Sequence, residues 1–377
     1  MVAVACGSRA SEQGPAELDT LLRAAVEQKR VPHFVAMVAT AQGVAYEHAI
    51  GVRADALFAI ASMTKPVTSI AVMQLVEAGK VKLNEPAATY LPEMAGVQVL
   101  DAGTLRPPRS PVTVRHLLTH TSGYGYEFLN RELFDWVAKG AVPSAMTGGD
   151  GYMKAPLLFD PGTRWEYGIN AEWLGGLVER VSGQSLEAYF RQHIFDPLGM
   201  SDSFFAVPPH KQPRIAKTYQ RKDGGALAEQ PGGGGLYSTA RDYLTLTRAL
   251  MAGGQFGQRR ILTPESVAMM GQNHIGDLSI PPFLRSFMPQ FVTDRAVRPG
   301  NVDKFGLGFG LNSAPVPAGR GLNTLAWSGV YNTFFWIDRE NQVCAVLLTQ
   351  MLPFLDPGPR TLLEEFERAV YKWRRAR

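Results

Sequence analysis

The residues with an evident chemical use begin at Ser62-Met63-Thr64-Lys65. The apolar run Leu57 to Ala61 leads into Ser62, and the spacing of Ile70, Met73, Leu75 and Val76 predicts a helix after it. Gly79 falls where such a helix takes its left-handed C′ residue. Residues three apart share a helix face, so Lys65 comes up beside Ser62. Pro66 lies in or just after the first turn, where its missing N–H costs least. A serine hydroxyl is a weak nucleophile until a neighbouring base takes its proton. A lysine amine can be that base only if burial or another cation lowers its pKa. The helix N-terminus adds positive potential and free N–H groups for a developing oxyanion. The same four residues also read as an N-capping serine with a surface lysine, so the tetrapeptide alone does not decide.

Further along, Phe159 to Asn170 reads as a turn and an extended stretch before an apolar helix through Trp173, Leu174, Leu177 and Val181, closed by Gly183. Tyr167 sits on the loop ahead of that helix, a place where function is often carried, although a core tyrosine with a satisfied hydroxyl fits as well. Thr113 is a cap for a short helix ending near His120, with Gly123 turning the chain. His116 and His120 have the spacing of half a zinc-protease helix, but the glutamate such a site needs beside the first histidine is absent. No metal is expected there, and structural histidines are. Gly232 to Gly235 is not a nucleotide loop, since no Gly-Lys-Ser/Thr follows; tight backbone packing beside a pocket suits it better.

The elements that must position these residues follow from the pattern. Pro15 to Lys29 reads as an amphipathic helix, and Phe34–Thr40 with Gly43–Gly51 as a hairpin. Residues 81–160 are rich in loops and short helices. Ser238 or Thr239 caps a helix opened by Arg241. Phe305–Leu311, Leu325–Asp338 and Gln342–Thr349 read as sheet, the last two as adjacent antiparallel strands turning at Arg339-Glu340-Asn341, and Glu364–Arg375 as a closing helix. With 377 residues, 45% hydrophobic and 19% charged, the chain can form one large domain or two entangled ones. The net charge of +4 is mixed throughout, which argues against a nucleic-acid partner. Two cysteines, Cys6 and Cys344, are too few for a disulfide scaffold, and no apolar run is long enough to span a bilayer. The N-terminus lacks a basic start and a full apolar core, so a cytoplasmic location is expected; export on a degenerate lipoprotein signal ending near Cys6 is the alternative.

Taken in order, Ser62-x-x-Lys65, Leu117-Leu118-Thr119-His120-Thr121-Ser122-Gly123, Tyr167, Gly235-Leu236-Tyr237-Ser238-Thr239 and Trp327-Ser328-Gly329 resemble the serine β-lactamase-like superfamily. The closest likeness is to family VIII carboxylesterases, relatives of class C β-lactamases and D-Ala-D-Ala peptidases, and it runs from about residue 15 to the end. The serine-hydrolase motif Gly-x-Ser-x-Gly occurs nowhere, which argues against an α/β-hydrolase. The resemblance implies an α/β (α+β) fold: an antiparallel sheet flanked by helices from residues 1–80 and 225–377, a mostly helical insertion at 81–224, and a cleft between them. It implies Ser62 as acylated nucleophile and Lys65 with Tyr167 as proton relay, without settling which is the base. The backbone N–H groups of Ser62 and Val330 would form the oxyanion hole.

Two departures narrow the substrate that the resemblance implies. Trp327 stands where the β-lactamases carry a lysine that binds the substrate carboxylate, and family VIII esterases typically carry tryptophan there too. Ile169 stands where they carry the asparagine two residues after the tyrosine, with Asn170 one further on. Both favour neutral or hydrophobic esters over β-lactams, hydrolysed through an acyl-serine without a cofactor. Ser328, Gly329, Phe128, Trp136 and Tyr237 join Trp327 as candidate pocket residues. A β-lactamase or peptidase, an acyltransferase and a non-catalytic ligand-binding module are the other readings.

Overall fold

The computed structural model describes residues 16–147, 149–222, 225–230, 235–296 and 301–376; Cys6 and the glycine-dense run 231–234 lie outside them. Helix α1 (Ala16–Glu27) buries Leu18, Leu22 and Ala25 on one stripe. Strands β1 (Phe34–Thr40) and β2 (Gly43–Ile50) follow as the expected hairpin. Strand β3 (Phe58–Ala61) runs toward α2 (Thr64–Glu77), and Gly79 closes that helix at φ 69°. Helix α3 (Val114–Leu118) is capped by Thr113, whose Oγ1 accepts the His116 N–H. After α4 (Arg131–Ala138), helix α5 (Asn170–Ser182) ends on a left-handed Gly183. Strand β4 (Leu236–Ser238) pairs antiparallel with β3, and Thr239 caps α6 (Ala240–Met251).

The chain then lays down β5 (Lys304–Phe305), β6 (Gly310–Leu311), β7 (Leu325–Gly329), β8 (Thr333–Asp338) and β9 (Val343–Leu348) before α7 (Pro357–Arg375). The main sheet has seven strands in the order β5-β6-β7-β8-β9-β1-β2, all antiparallel, so both ends of the chain build it. Side chains alternate across its faces. Phe34, Ala36 and Val38 pack with Trp336 under α1 and α7, while Val35, Met37 and Ala39 belong to the larger core with α2 and α6. Burial on both faces explains why β1 reads as an unbroken apolar run.

Two expectations are corrected. Leu325–Asp338 is a hairpin and not one strand: the chain reverses at Val330–Asn332, where Asn332 takes φ 58° and donates its N–H to Gly329 O at 3.0 Å. Asparagine tolerates that conformation, while Val330 and Tyr331 carry strand propensity and mask the turn. The Asn332 side chain is locked as well, donating to Met351 O at 2.8 Å and accepting the Leu355 N–H at 2.9 Å. The last helix starts at Pro357 rather than Glu364, because Asp356 accepts the Gly358 N–H and proline suits the first turn. Among the described residues no helix is long and apolar enough to cross a membrane.

Candidate active site

Ser62 lies in a turn between β3 and α2, one residue ahead of the cap position held by Met63. Its side chain is therefore not spent on capping the helix. Ala61, just before it, has φ 45°, a left-handed conformation costing an L-residue about 1 kcal/mol or more. Pairing holds it there: Ala61 is matched to Leu236 of β4, and Thr64 Oγ1 accepts the Leu236 N–H at 3.0 Å. Gly235 permits this closeness, since a Cβ there would lie 2.8 Å from Thr64 Oγ1 and 3.0 Å from Ala61 O. Lys65 Nζ, one helical turn on, reaches Ser62 Oγ at 3.4 Å.

Strand β7 approaches the same point from the main sheet. A Cβ at Gly329 would collide with Ile60 O and Thr333 Oγ1, so only glycine lets β7 press against the backbone just ahead of Ser62. The turn that follows brings Val330 alongside. Ser62, Tyr167, Trp327, Ser328, Gly329 and Val330 thus share the wall of one cavity of about 350 Å³.

Below that wall is a ring of polar groups among aromatics. Lys65 Nζ lies 5.2 Å from the Tyr167 ring centre and 5.4 Å from that of Tyr126. Tyr126 donates its hydroxyl hydrogen to Glu172 Oε1 at 2.6 Å, while Glu172 Oε2 is buried without a hydrogen-bond partner among the described residues. The buried Tyr167 hydroxyl also makes no hydrogen bond of normal geometry there, yet it is close enough to act on Lys65. Burial pulls the Lys65 pKa down, but Tyr167 and Glu172 outweigh it, and the net direction is up from the ordinary lysine value. Burial and the Lys65 charge hold His120 neutral, well below its usual pKa.

His120 packs on Tyr167 at 4.9 Å and on Phe305 at 5.2 Å, and its Nδ1 lies 2.8 Å from the Asn170 amide nitrogen. Asn170 also accepts the Ser122 hydroxyl, so this buried amide is committed to His120 and Ser122. His116 turns inward to its own cap, where Nδ1 accepts the Thr113 N–H at 3.2 Å. Among the described residues no three His, Cys, Asp or Glu side chains gather as a metal site.

Phe128 lines the cavity, with Leu129 and Asn130 from the same loop, and Ile280, Phe283 and Val292 come from a distant one. The loops are joined where Phe287 N–H bonds Phe128 O at 2.9 Å. Glu166 is on the wall too; burial raises its carboxyl pKa, and Oε1 accepts from Asn130 at 2.9 Å. Two candidate pocket residues do not belong to this wall. Trp136 packs with Leu133, Leu158 and Phe159 in a separate small cluster, because the apolar stripe of α4 faces that way. Tyr237 is half-buried on β4, where alternation turns Leu236 and Ser238 inward and Tyr237 away from them. Tyr126 and Glu172 were missed in the sequence. The only signal for Glu172 was an acidic residue in the first turn of α5, which reads as an ordinary complement to the helix dipole.

A family model described as beta-lactamase matches residues 18–367. The acyltransferase calJ of Penicillium decumbens is 32% identical over 342 residues, covering 84% of this chain and 81% of its own. Lovastatin esterase of Penicillium rubens is 31% identical over 403 residues, covering 94% and 98%. Among solved structures, unliganded simvastatin synthase (LovD) from Aspergillus terreus superposes with a TM-score of 0.82 at 30% identity, over 96% of this chain and 98% of that one.

Proposed function

The chain belongs to the beta-lactamase family, and from that premise we propose that it is a serine carboxylesterase of the family VIII kind, acting on neutral, hydrophobic or short-chain esters. The observation that carries this reading is the shared cavity wall: Ser62, with Lys65 3.4 Å away, faces the same apolar space as Tyr167 and Val330. Ser62 Oγ attacks the ester carbonyl carbon, and its proton passes to the Tyr167–Lys65 pair. The carbonyl oxygen becomes an oxyanion received by the N–H groups of Ser62 and Val330. The bond to the leaving alcohol breaks, its oxygen takes the proton back, and water repeats the sequence on the acyl-serine. Trp327 gives this wall an aromatic face where a carboxylate-binding lysine would favour β-lactams. The origin of the main sheet in both chain ends supports a sheet unit from 1–80 and 225–377 and a helical unit at 81–224, with the site in the cleft between them.

Transfer of the acyl group to an alcohol is the second reading, favoured by calJ, named an acyltransferase, and by simvastatin synthase. It needs no change of machinery, only an acceptor that outcompetes water. The test is p-nitrophenyl butyrate and nitrocefin with the wild type and Ser62→Ala, each with and without a primary alcohol. Ester turnover should fall by about 10³-fold or more in the variant. Undiminished turnover in Ser62→Ala would sink the acyl-serine reading. Rapid nitrocefin cleavage would mean that Trp327 does not exclude β-lactams and would overturn the substrate reading. Butyrate ester of the added alcohol formed faster than free butyrate would favour the acyltransferase.

A further inference from the structure

The cavity wall beside Tyr167 carries a polar pair that the chemistry at Ser62 does not use. Glu166 and Asn130 both line it, among Phe128, Leu129, Trp165 and Ile280. The Glu166 carboxylate is built into place. Its backbone N–H donates to His120 O at 3.0 Å, and Oε1 accepts from Asn130 Nδ2 at 2.9 Å. Gly125 leaves it room, since a Cβ there would lie 3.0 Å from Oε1 and 2.5 Å from Leu158 Cδ1. Asn130 is fixed from its other side, where Oδ1 caps α4 by accepting the Leu133 N–H at 3.1 Å. Two groups are left over: Glu166 Oε2, which makes no hydrogen bond among the described residues, and the second N–H of the Asn130 amide. Among the described residues no cation pairs with the acid. Arg164, which acts on it, is turned to Leu158 O at 3.0 Å and to the Phe159 ring at 4.6 Å. Arg285, an exposed cation on the wall, stacks on Phe287 at 5.5 Å. A carboxylate half withdrawn from water in an apolar wall costs stability, and burial raises its pKa. Such a group marks recognition more than support.

We infer that Asn130 and Glu166 select the alcohol half of the ester: together they receive one hydroxyl of the leaving alcohol, so that the substrate is a monoester of a diol or polyol. This rests on the acyl-serine reading, which it deepens. A hydroxyl is at once a donor and an acceptor. Glu166 Oε2 takes its hydrogen, and the free Asn130 N–H meets its oxygen. The placement follows from Tyr167. On the acyl-serine reading the Tyr167–Lys65 pair returns the proton to the leaving oxygen, so the alcohol departs on the Tyr167 side. Glu166 is the next residue in the chain, its Cα about 3.8 Å away, and both residues line the cavity. A hydroxyl one or two carbons from the ester oxygen is the group that such a neighbour meets. An alcohol with only carbon at that position would strip water from the carboxylate and give no hydrogen bond in return, which is how a polar wall rejects an apolar isostere. No bond of the second hydroxyl forms or breaks; it fixes the alcohol through the steps already given.

The experiment compares two isosteric esters, 2-hydroxyethyl butyrate and propyl butyrate, in the wild type, Ser62→Ala, Glu166→Gln and Glu166→Leu. The wild type should prefer the hydroxylated ester in kcat/KM by about 10- to 100-fold, with the difference mainly in KM. Glu166→Leu should bring that ratio to about one or below. Glu166→Gln, which keeps an acceptor oxygen without the charge, should fall between the two. A purely structural role would slow both esters alike and leave the ratio where it was, and that result would overturn the inference. Equal kcat/KM for the two esters in the wild type would overturn it as well, which decides the matter even if neither variant folds. In both cases loss of turnover in Ser62→Ala would leave the acyl-serine reading standing. Turnover surviving in Ser62→Ala would remove that reading and this inference with it.

Discussion

Lys65 stands on α2, and Ser62 and Val330 on tight turns clamped at the ends of β3 and β7, whereas Phe128 and Ile280 stand on loops and Phe283 on a two-residue strand away from the main sheet. At the floor, each placement is over-determined. Ala61 is held left-handed by its pairing with β4, Gly329 is bare because Ile60 O leaves no room, and Asn332 fixes the turn that presents Val330. The outer wall is two loops joined by the bond from Phe287 to Phe128 and by ring contacts such as Phe128 with Phe291 at 5.3 Å. A floor of this kind transmits small displacements to the reacting atoms, and a wall of that kind absorbs them. On the proposed reading, the floor sets the chemistry and the wall sets the substrate.

The comparison breaks first, and hardest, at the relay. Tyr167→Phe and Lys65→Ala should each lower ester kcat/KM by about 10²- to 10⁴-fold, with little change in thermal midpoint for the conservative Tyr167→Phe. Near-normal turnover in either would move the chemistry away from the floor. Next in size is the floor's dependence on pH. His33 is buried between Phe58, at the start of β3, and Tyr219, and burial pushes its pKa down to about 4 from 6.5. The unfolded chain therefore binds the proton first. Stability is full above about pH 6.5 and falls as pH drops toward 4, by about 3 kcal/mol from this residue alone. Denaturant melts at pH 7 and pH 4.5 should show that loss, and His33→Gln should shrink the difference between them. An equal acid loss in the variant would clear His33 of the effect.

A third test joins stability to chemistry at one atom. Gly329→Ala introduces a methyl group against Ile60 O and Thr333 Oγ1, and relief of that collision requires β7 to move from β3. The expected costs are about 1–3 kcal/mol of stability and a fall in acylation rate that exceeds any rise in KM, since Val330 N–H moves with the strand. A melt and a pre-steady-state burst would read both. Lost stability with an intact burst would detach the Val330 N–H from the oxyanion.

The same division decides what could be read in the sequence. That these residues gather at one floor was legible because the chemistry proposed for them demands fixed types at fixed spacings: Ser62 and Lys65 one helical turn apart, Tyr167 before a helix, Trp327-Ser328-Gly329 on a strand. The buried strands were legible from their unbroken apolar runs. The buried Tyr126–Glu172 bond was not, because it joins residues 46 apart in sequence. The Val330 turn was hidden by strand-forming residues on both sides of Asn332. Trp136 was misplaced because an aromatic in a helical segment gives no sign of which core its stripe will meet. The wall has no periodicity to read, since its residues come from loops and a two-residue strand, too short to carry a pattern.

The smallest expected effect lies at the rim and sharpens the comparison most directly. Phe283 lines the cavity but is 54% exposed, so truncating it removes contact area without opening a buried void. Phe283→Ala should leave the thermal midpoint within the range of an ordinary surface change, about 0.5 kcal/mol. Turnover of p-nitrophenyl acetate should be unchanged, because a two-carbon acyl group leaves the outer wall empty. For an octanoyl ester, kcat/KM should fall about three- to tenfold, the scale of one or two buried methylenes, and the loss should appear in KM rather than kcat. Equal losses for short and long esters would mean that Phe283 acts on the floor, and the separation of chemistry from substrate choice along this cavity would then fail at its outermost residue.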